Sequence, residues 1–160
     1  MVDQPQTAFP ETTVNIEVTL ANSEMVQFIA DNLRPADRRE SASLTSAHPR
    51  EALKTSHELS KLTYCIKVDG KPTVVFGVAD IPGTPHGSPW LMATPDIEKI
   101  KVFFIRNSRK YLTLLRKAGP YFRMRNMVDM RNELHVKWLK FLGAKIQDEP
   151  IKQHFRYFEI

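Results

Sequence analysis

The sequence predicts an α/β fold in which a central mixed, mostly antiparallel sheet carries helices on both faces. Two patterns predict it. The runs LTYCIKV and PTVVFGVAD flank Asp69-Gly70-Lys71, which is the signature of a tight hairpin between antiparallel strands. Later in the chain, strand-like and helix-like segments alternate, and a strand–helix–strand crossover places its two strands side by side in a sheet covered by the helix. The length of 160 residues, with no internal repeat, suits one domain over residues 13–160 behind a flexible Pro-, Thr- and Gln-rich tail over 1–12.

The elements follow in order. VNIEVTL (14–20) alternates apolar and polar residues and reads as a strand. Ser23 is placed to cap a helix, SEMVQFIADNL, with Met25, Phe28, Ile29 and Leu33 facing inward. RPADRRE (34–40) reads as a polar break and turn, and HPREALKTSHELS (48–60) as a helix with Pro49 in its first turn. After the hairpin, Ile81 to Pro89 is a Pro- and Gly-rich loop and WLMAT a short strand. A long helix spans about 95–118, with Ile97, Ile100, Phe104, Tyr111, Leu115 and Ala118 on one stripe, and Gly119-Pro120 ends it. YFRMRNMV alternates as a strand. Residues 126–143 then give a strand end, a polar turn, and a helix with Leu134, Trp138, Phe141 and Leu142 at helical spacing. Asn132 stands at its start and Gly143 at its stop. AKIQDEPIKQHFRYFEI reads as a strand, a turn and a terminal strand.

Composition narrows the function classes. Hydrophobic residues make up 42% of the chain, enough for a sizeable core, and no run of 18 apolar residues predicts a membrane span. The opening MVDQPQTAFPETT lacks the basic start and apolar middle of a secretory signal. The single cysteine, Cys65, excludes an intramolecular disulfide and sits in an apolar strand, which suits a packing role. The five histidines are scattered, so no metal-ligand spacing is visible and no metal is expected. Charge is uneven. Residues 1–33 carry five acids and no Lys or Arg, whereas residues 99–131 carry ten bases against Asp129. Such a band is either the solvated face of a long helix and strand, or a surface for a polyanion such as nucleic acid, an acidic protein or coenzyme A phosphates. No aromatic-and-basic stacking motif strengthens the nucleic-acid reading.

Short motifs, in order, carry a resemblance. They are Arg34-Pro35-Ala36-Asp37 with Glu40, Phe76-Gly77-Val78, Pro89-Trp90-Leu91 running into Thr94-Pro95, and Ser108-Arg109. Asn126, Asp129, Arg131-Asn132 and Trp138-Leu139-Lys140-Phe141-Leu142-Gly143 complete the set. With the element order, the chain resembles the GNAT N-acetyltransferase superfamily over about residues 13–160. At motif level it resembles the GNAT-like proteins of tailed bacteriophages, including the small internal virion protein family of short-tailed phages. The resemblance implies a phage protein acting in the host bacterial cytoplasm or carried in the virion, acetyl-CoA or another acyl-CoA as donor, and a host or phage protein as partner.

Residue by residue, the resemblance sets a donor-binding junction at Met92, Ala93, Thr94 and Ile97, with Asn132 at the start of the late helix. The junction departs from the family pattern. It has no glycine and no leading Gln or Arg, Pro95 removes an amide donor, and Asp96 puts a negative charge where a pyrophosphate sits on a helix N-terminus. Thr94 is equally a helix cap, with Pro95 at the first position and Asp96 complementing the dipole, and Asn132 is equally an N-cap. The family's acid, a tyrosine four residues before the closing glycine, corresponds here to Leu139, which holds no transferable proton.

The cleft is expected between splayed strands WLMAT and YFRMRNMV. Asp129, Glu133 and His135 are the candidates for proton transfer to and from an amine. Asp129 alternatively holds Arg131, and His135 alternatively faces solvent or the core edge. His86 stands in the preceding loop as a gate. Arg34, Asp37 and Glu40 are the candidates for substrate or partner contacts, against a charged turn with local ion pairs. Two functions compete: acyl transfer to an amine, and a catalytically degenerate GNAT-fold module that binds a host enzyme or rides in the virion.

Overall fold

The computed structural model describes residues 13–160, and the expected tail over 1–12 lies outside the described residues. Seven strands form one sheet in the order β1-β2-β3-β4-β5-β7-β6. They are β1 Ile16–Leu20, β2 Ser60–Val68, β3 Lys71–Asp80, β4 His86–Ala93, β5 Arg123–Asp129, β6 Lys145–Ile146 and β7 Phe155–Glu159. All neighbours are antiparallel except β4 and β5. Five helices accompany them: α1 Ser23–Asp31, α2 Pro35–Leu44, α3 Pro49–Leu59, α4 Lys101–Lys117 and α5 Glu133–Phe141. None is long and apolar enough to cross a membrane. The mixed, mostly antiparallel sheet is as the sequence predicts.

The hairpin forms because Asp69 and Gly70 both take positive φ, 49° and 79°, which the tight two-residue turn between β2 and β3 requires. Strand β3 is central and buried on both faces, so its period-2 alternation divides the core. Val74, Phe76 and Val78 point to α4, joining Leu91, Phe104, Tyr111 and Leu115. Val75 points to the opposite side with Cys65, Val26, Ile29 and Leu53 under α1 and α3. Strand β4 divides the same way, with Leu91 and Ala93 on the α4 side and Trp90 and Met92 on the α1/α3 side. A third cluster of Val128, Val136, Leu139 and Phe158 seats α5 on β5 and β7.

Several local expectations are corrected. Segment 34–40 is not a turn: Arg34 is the cap of α2 and Pro35 opens it, using the residue's fixed φ. Asn22 rather than Ser23 caps α1, its side chain accepting from the Met25 amide at 3.0 Å. Phe28 is 40% exposed, and Val26, Ala30, Ile29 and Leu33 make the buried stripe. Residues His86 to Pro89 belong to β4 rather than to a loop. The long helix begins as a 3-10 turn over Pro95–Ile100, and Thr94 caps it without a side-chain hydrogen bond. In α5 the inward positions are His135, Val136 and Leu139, while Phe141 is 41% exposed.

Candidate functional site

Strands β4 and β5 pair at only two positions, His86 with Arg123 and Gly87 with Met124, and then part. Pro89 offers no N–H to continue the ladder. Asn126 on β5 instead donates its Nδ2 to the Pro89 carbonyl at 2.8 Å and accepts the Met127 amide on its Oδ1 at 2.7 Å. Beyond this bridge the gap widens into a chamber of about 390 Å³. Trp90 and Met92 line it from the α1/α3 side of the sheet, and Phe76, Leu91 and Tyr111 from the α4 side, so the chamber passes through the sheet. With Glu40, Glu51 and His135 among its walls, the chamber is space for solvent or a ligand.

The far end of the gap is closed by a polar cluster. Asp37 and Glu40 are spaced i, i+3 on α2, and Asn132 and His135 are spaced i, i+3 at the start of α5, so each pair shares one face of its helix. Asn132 Nδ2 donates to Asp37 Oδ1 at 2.9 Å and to Glu40 Oε2 at 2.7 Å. His135 lies between the same carboxylates, with Nε2 3.3 Å from Asp37 Oδ1 and Nδ1 3.1 Å from Glu40 Oε2. Arg34 donates to Asp37 Oδ1 at 3.0 Å. The Ala93 amide at the end of β4 donates to Asp37 Oδ2 at 2.8 Å, and the Ala93 carbonyl accepts the Arg34 amide at 2.9 Å. Burial alone would favour neutral His135, but the hydrogen bond it donates to Glu40 and the charges of Asp37 and Glu40 hold its pKa above the usual imidazole range.

The sequence singles out all these residues but not their meeting. Its substrate candidates Arg34, Asp37 and Glu40 join Asn132, a donor candidate, and His135, a proton-transfer candidate, in one buried cluster. Asn132 occupies the cap position of α5 without a side-chain cap bond, because its amide is turned to the carboxylates. One ligand atom each from Asp37, Glu40 and His135 lies within 4.8 Å of the others, a spacing a cation would tolerate. Arg34, Ala93 and Asn132 donate to the two carboxylates and His135 Nδ1 lies against Glu40, while His135 Nε2 and Asn132 Oδ1 are buried without a hydrogen-bond partner among the described residues.

The other candidates are dispersed. Asp129 is fully buried and accepts the Arg131 amide, Nε and Nη2 at 2.9, 3.0 and 2.7 Å. Burial opposes its charge, yet the Arg131 bonds hold its carboxyl below the usual carboxylate range. Glu133 is exposed, and neither it nor Asp129 lines the chamber. Thr94 donates its amide to the Thr73 carbonyl at 2.8 Å, and Ile97 is buried in the core. His86 lies at the paired end of β4 and outside the chamber lining. The basic band is partly self-neutralised, since Arg123 and Arg125 both meet Glu159, Arg131 meets Asp129, and Lys101 meets Glu98.

A second cavity, about 520 Å³, lies between α4 and α5. Arg34, Lys101, Arg131 and Lys137 ring it with Glu98 and Glu133. It shares Phe104 and Trp138 with the chamber. The Trp138 indole N–H is buried and has no partner among the described residues.

Solved structures share this architecture. A spermidine N-acetyltransferase from Vibrio cholerae, in complex with CoA and spermine, aligns over 91% of this chain and 94% of its own at 9% identity with a TM-score of 0.66. A putative acetyltransferase from Salmonella typhimurium with its cofactor acetyl-CoA aligns over 91% and 92% at 10% identity with a TM-score of 0.63. A putative phosphinothricin N-acetyltransferase aligns over 91% and 97% at 10% identity with a TM-score of 0.66. The fold is the GNAT fold. No protein-family model matches the sequence, and no curated protein matches it. Within this GNAT scaffold the through-sheet chamber at the parted strands and the α4–α5 cavity are neighbours that share Phe104 and Trp138 as walls.

Proposed function

We propose that the protein is an acyl-CoA-dependent N-acyltransferase, and the observation that carries this is the chamber crossing the sheet where β4 and β5 part. A site open to both faces of a sheet lets a donor and an acceptor meet from opposite sides. The donor set fits an acyl-CoA in part. Lys137 supplies a cation for a phosphate in place of a glycine-rich turn, beside Arg34, Lys101 and Arg131, which are paired with Asp37, Glu98 and Asp129. The unpartnered Trp138 N–H, in the wall between the two cavities, supplies a donor for an amide carbonyl of the donor's arm. The Ala93 amide and carbonyl are already engaged, so that stretch of β4 holds the clasp rather than the arm.

Bound there, an acyl thioester supplies the carbonyl carbon at which an amine forms a C–N bond while the C–S bond breaks, the thiolate leaving with the electron pair and taking up a proton. Of the three proton-transfer candidates, His135 is the one in the chamber wall, beside Glu40. Both of its ring nitrogens face carboxylates, so the acceptor ammonium gives its proton to Glu40, which lines the chamber with His135 Nδ1 beside it. On the resemblance described above, the acceptor is an amine of a host or phage protein, in the host bacterial cytoplasm. Titration calorimetry with acetyl-CoA and longer acyl-CoA esters tests the reading. Saturable heat, weakened about five-fold or more in Trp138→Phe, is expected. No heat and no thermal shift with any acyl-CoA ends it.

A second reading is a non-catalytic GNAT-fold binding module, a host-takeover factor or internal virion protein. Two observations favour it: the occupied main chain at Ala93, and Leu139 where the family places an acid. It predicts partner capture that survives His135→Gln, with no transfer activity in the unaltered protein.

A further inference from the structure

We infer that the chamber selects a medium-chain acyl group, of about eight carbons, rather than acetyl; this rests on the acyl-CoA reading above. The first argument is volume. An engineered apolar cavity of about 150 Å³ houses benzene, with six carbons. At the same packing the 390 Å³ here takes roughly 15 heavy atoms. Allowing for the thioester and the adjoining end of the donor's arm, roughly eight carbons remain. An acetyl group would leave most of that space as water against apolar walls, the least favourable way to fill it.

The second argument is the lining. Trp90, Leu91, Met92, Tyr111 and Leu115 face the space from both sides of the sheet. Ionisable groups are confined to the α2–α3 side and its border with α5, at Glu40, Glu51 and His135. Asn126, the polar residue on β5, has its amide committed to Pro89 and Met127. The walls therefore match a chain that is apolar along its length and carries its one reactive carbonyl near the Glu40–His135 end. A polar or charged acyl group would exchange its hydration for apolar β4 and α4 walls, the hydroxyls of Ser41, Thr45, Thr55 and Ser56 being confined to the α2–α3 side. The third argument is adjacency. Phe104 and Trp138 are common walls of the chamber and the α4–α5 cavity, so a donor in that cavity lies one side-chain layer from the space for the acyl chain.

The experiment is calorimetric titration of the full chain with acetyl-CoA, octanoyl-CoA and free octanoate. Octanoyl-CoA is expected to bind at least ten-fold tighter than acetyl-CoA. Two variants fill the space from half-buried or exposed positions on its wall, Ala52→Phe and Leu44→Trp, with circular-dichroism melts to establish folding. In either folded variant the ten-fold preference should collapse to less than three-fold while acetyl-CoA affinity stays within a factor of two. Equal affinity of the unaltered protein for the two esters overturns the chain-length inference and leaves the acyltransferase reading standing. Octanoate binding without either ester, or no binding at all, removes that reading and the inference with it.

Discussion

Replacing Asp37 by asparagine perturbs the polar cluster with almost no change of shape. Asp37 is fully buried; Oδ1 takes Arg34 and Asn132 at 3.0 and 2.9 Å, Oδ2 takes the Ala93 amide at 2.8 Å, and His135 Nε2 is 3.3 Å from Oδ1. Whichever way an asparagine amide is turned, its NH2 meets a donor, either the Ala93 N–H or the Arg34–Asn132 pair. The change also leaves Arg34 and charged His135 with Glu40 as the remaining anion of the cluster. A hydrogen bond to a charged group is worth about 1.5–3 kcal/mol, and breaking a buried pair by removing one partner costs about 3–5 kcal/mol. These terms describe the same contacts, so they do not add, and the expected loss is ~3–5 kcal/mol. Against a domain stability of about 5–15 kcal/mol that is a large share. Urea unfolding followed by circular dichroism should show the midpoint falling at unchanged slope, and the melting temperature should drop by roughly 6–20 °C. A loss below about 1 kcal/mol would refute the claim that this carboxylate closes the gap between β4 and β5.

Three further outcomes follow from the same structure. His135 has a raised native pKa, so its contribution is fully present below about pH 6.5 and is lost as pH rises through the higher native value; urea midpoints should fall across that window and lose this slope in His135→Gln. Arg131→Ala strands the buried Asp129 carboxylate and should cost ~1–3 kcal/mol near pH 7, discounted because Arg131 is partly exposed. Asp129 now stabilises the native state above about pH 3.9 and loses that as pH falls through its lower native pKa, so the same variant should flatten the acid limb of the stability curve. Gly77→Ala places a Cβ 2.7 Å from the Leu62 carbonyl oxygen, across the β2–β3 ladder, and should destabilise by ~1–3 kcal/mol in a thermal melt.

What the sequence made legible is what local physics controls. The Asp69-Gly70 turn, the stop at Gly119-Pro120, the positive φ at Gly143 and the strands at VNIEVTL and YFRMRNMV all follow from backbone sterics and period-2 patterning. Helix α2 was hidden because PADRRE has no apolar stripe. It is held by buried carboxylates whose partners lie about ninety residues away, at Asn132 and His135. The inward face of α5 was misjudged for the same reason. The stripe of Leu134, Trp138 and Phe141 outranks His135 on hydrophobicity, yet the pair on α2 draws His135 inward. A signal did exist in the matched i, i+3 spacing of Asp37–Glu40 and Asn132–His135, two complementary pairs on separate segments. The chamber had no local signal beyond Pro89, since its volume comes from where eight elements fail to meet.

The two-position pairing of β4 with β5 gives the molecule a consequence in motion. One end of the parting strands is sewn by main-chain bonds, which are indifferent to acidity, and the other is latched by an imidazole held between two carboxylates. Loosening the latch by alkali would let the β5–α5–β7 flank swing about the sewn end, as a door turns on its jamb. Amide exchange in α5 should therefore quicken with pH beyond the intrinsic chemical rate, while that of Gly87 and Met124 should not.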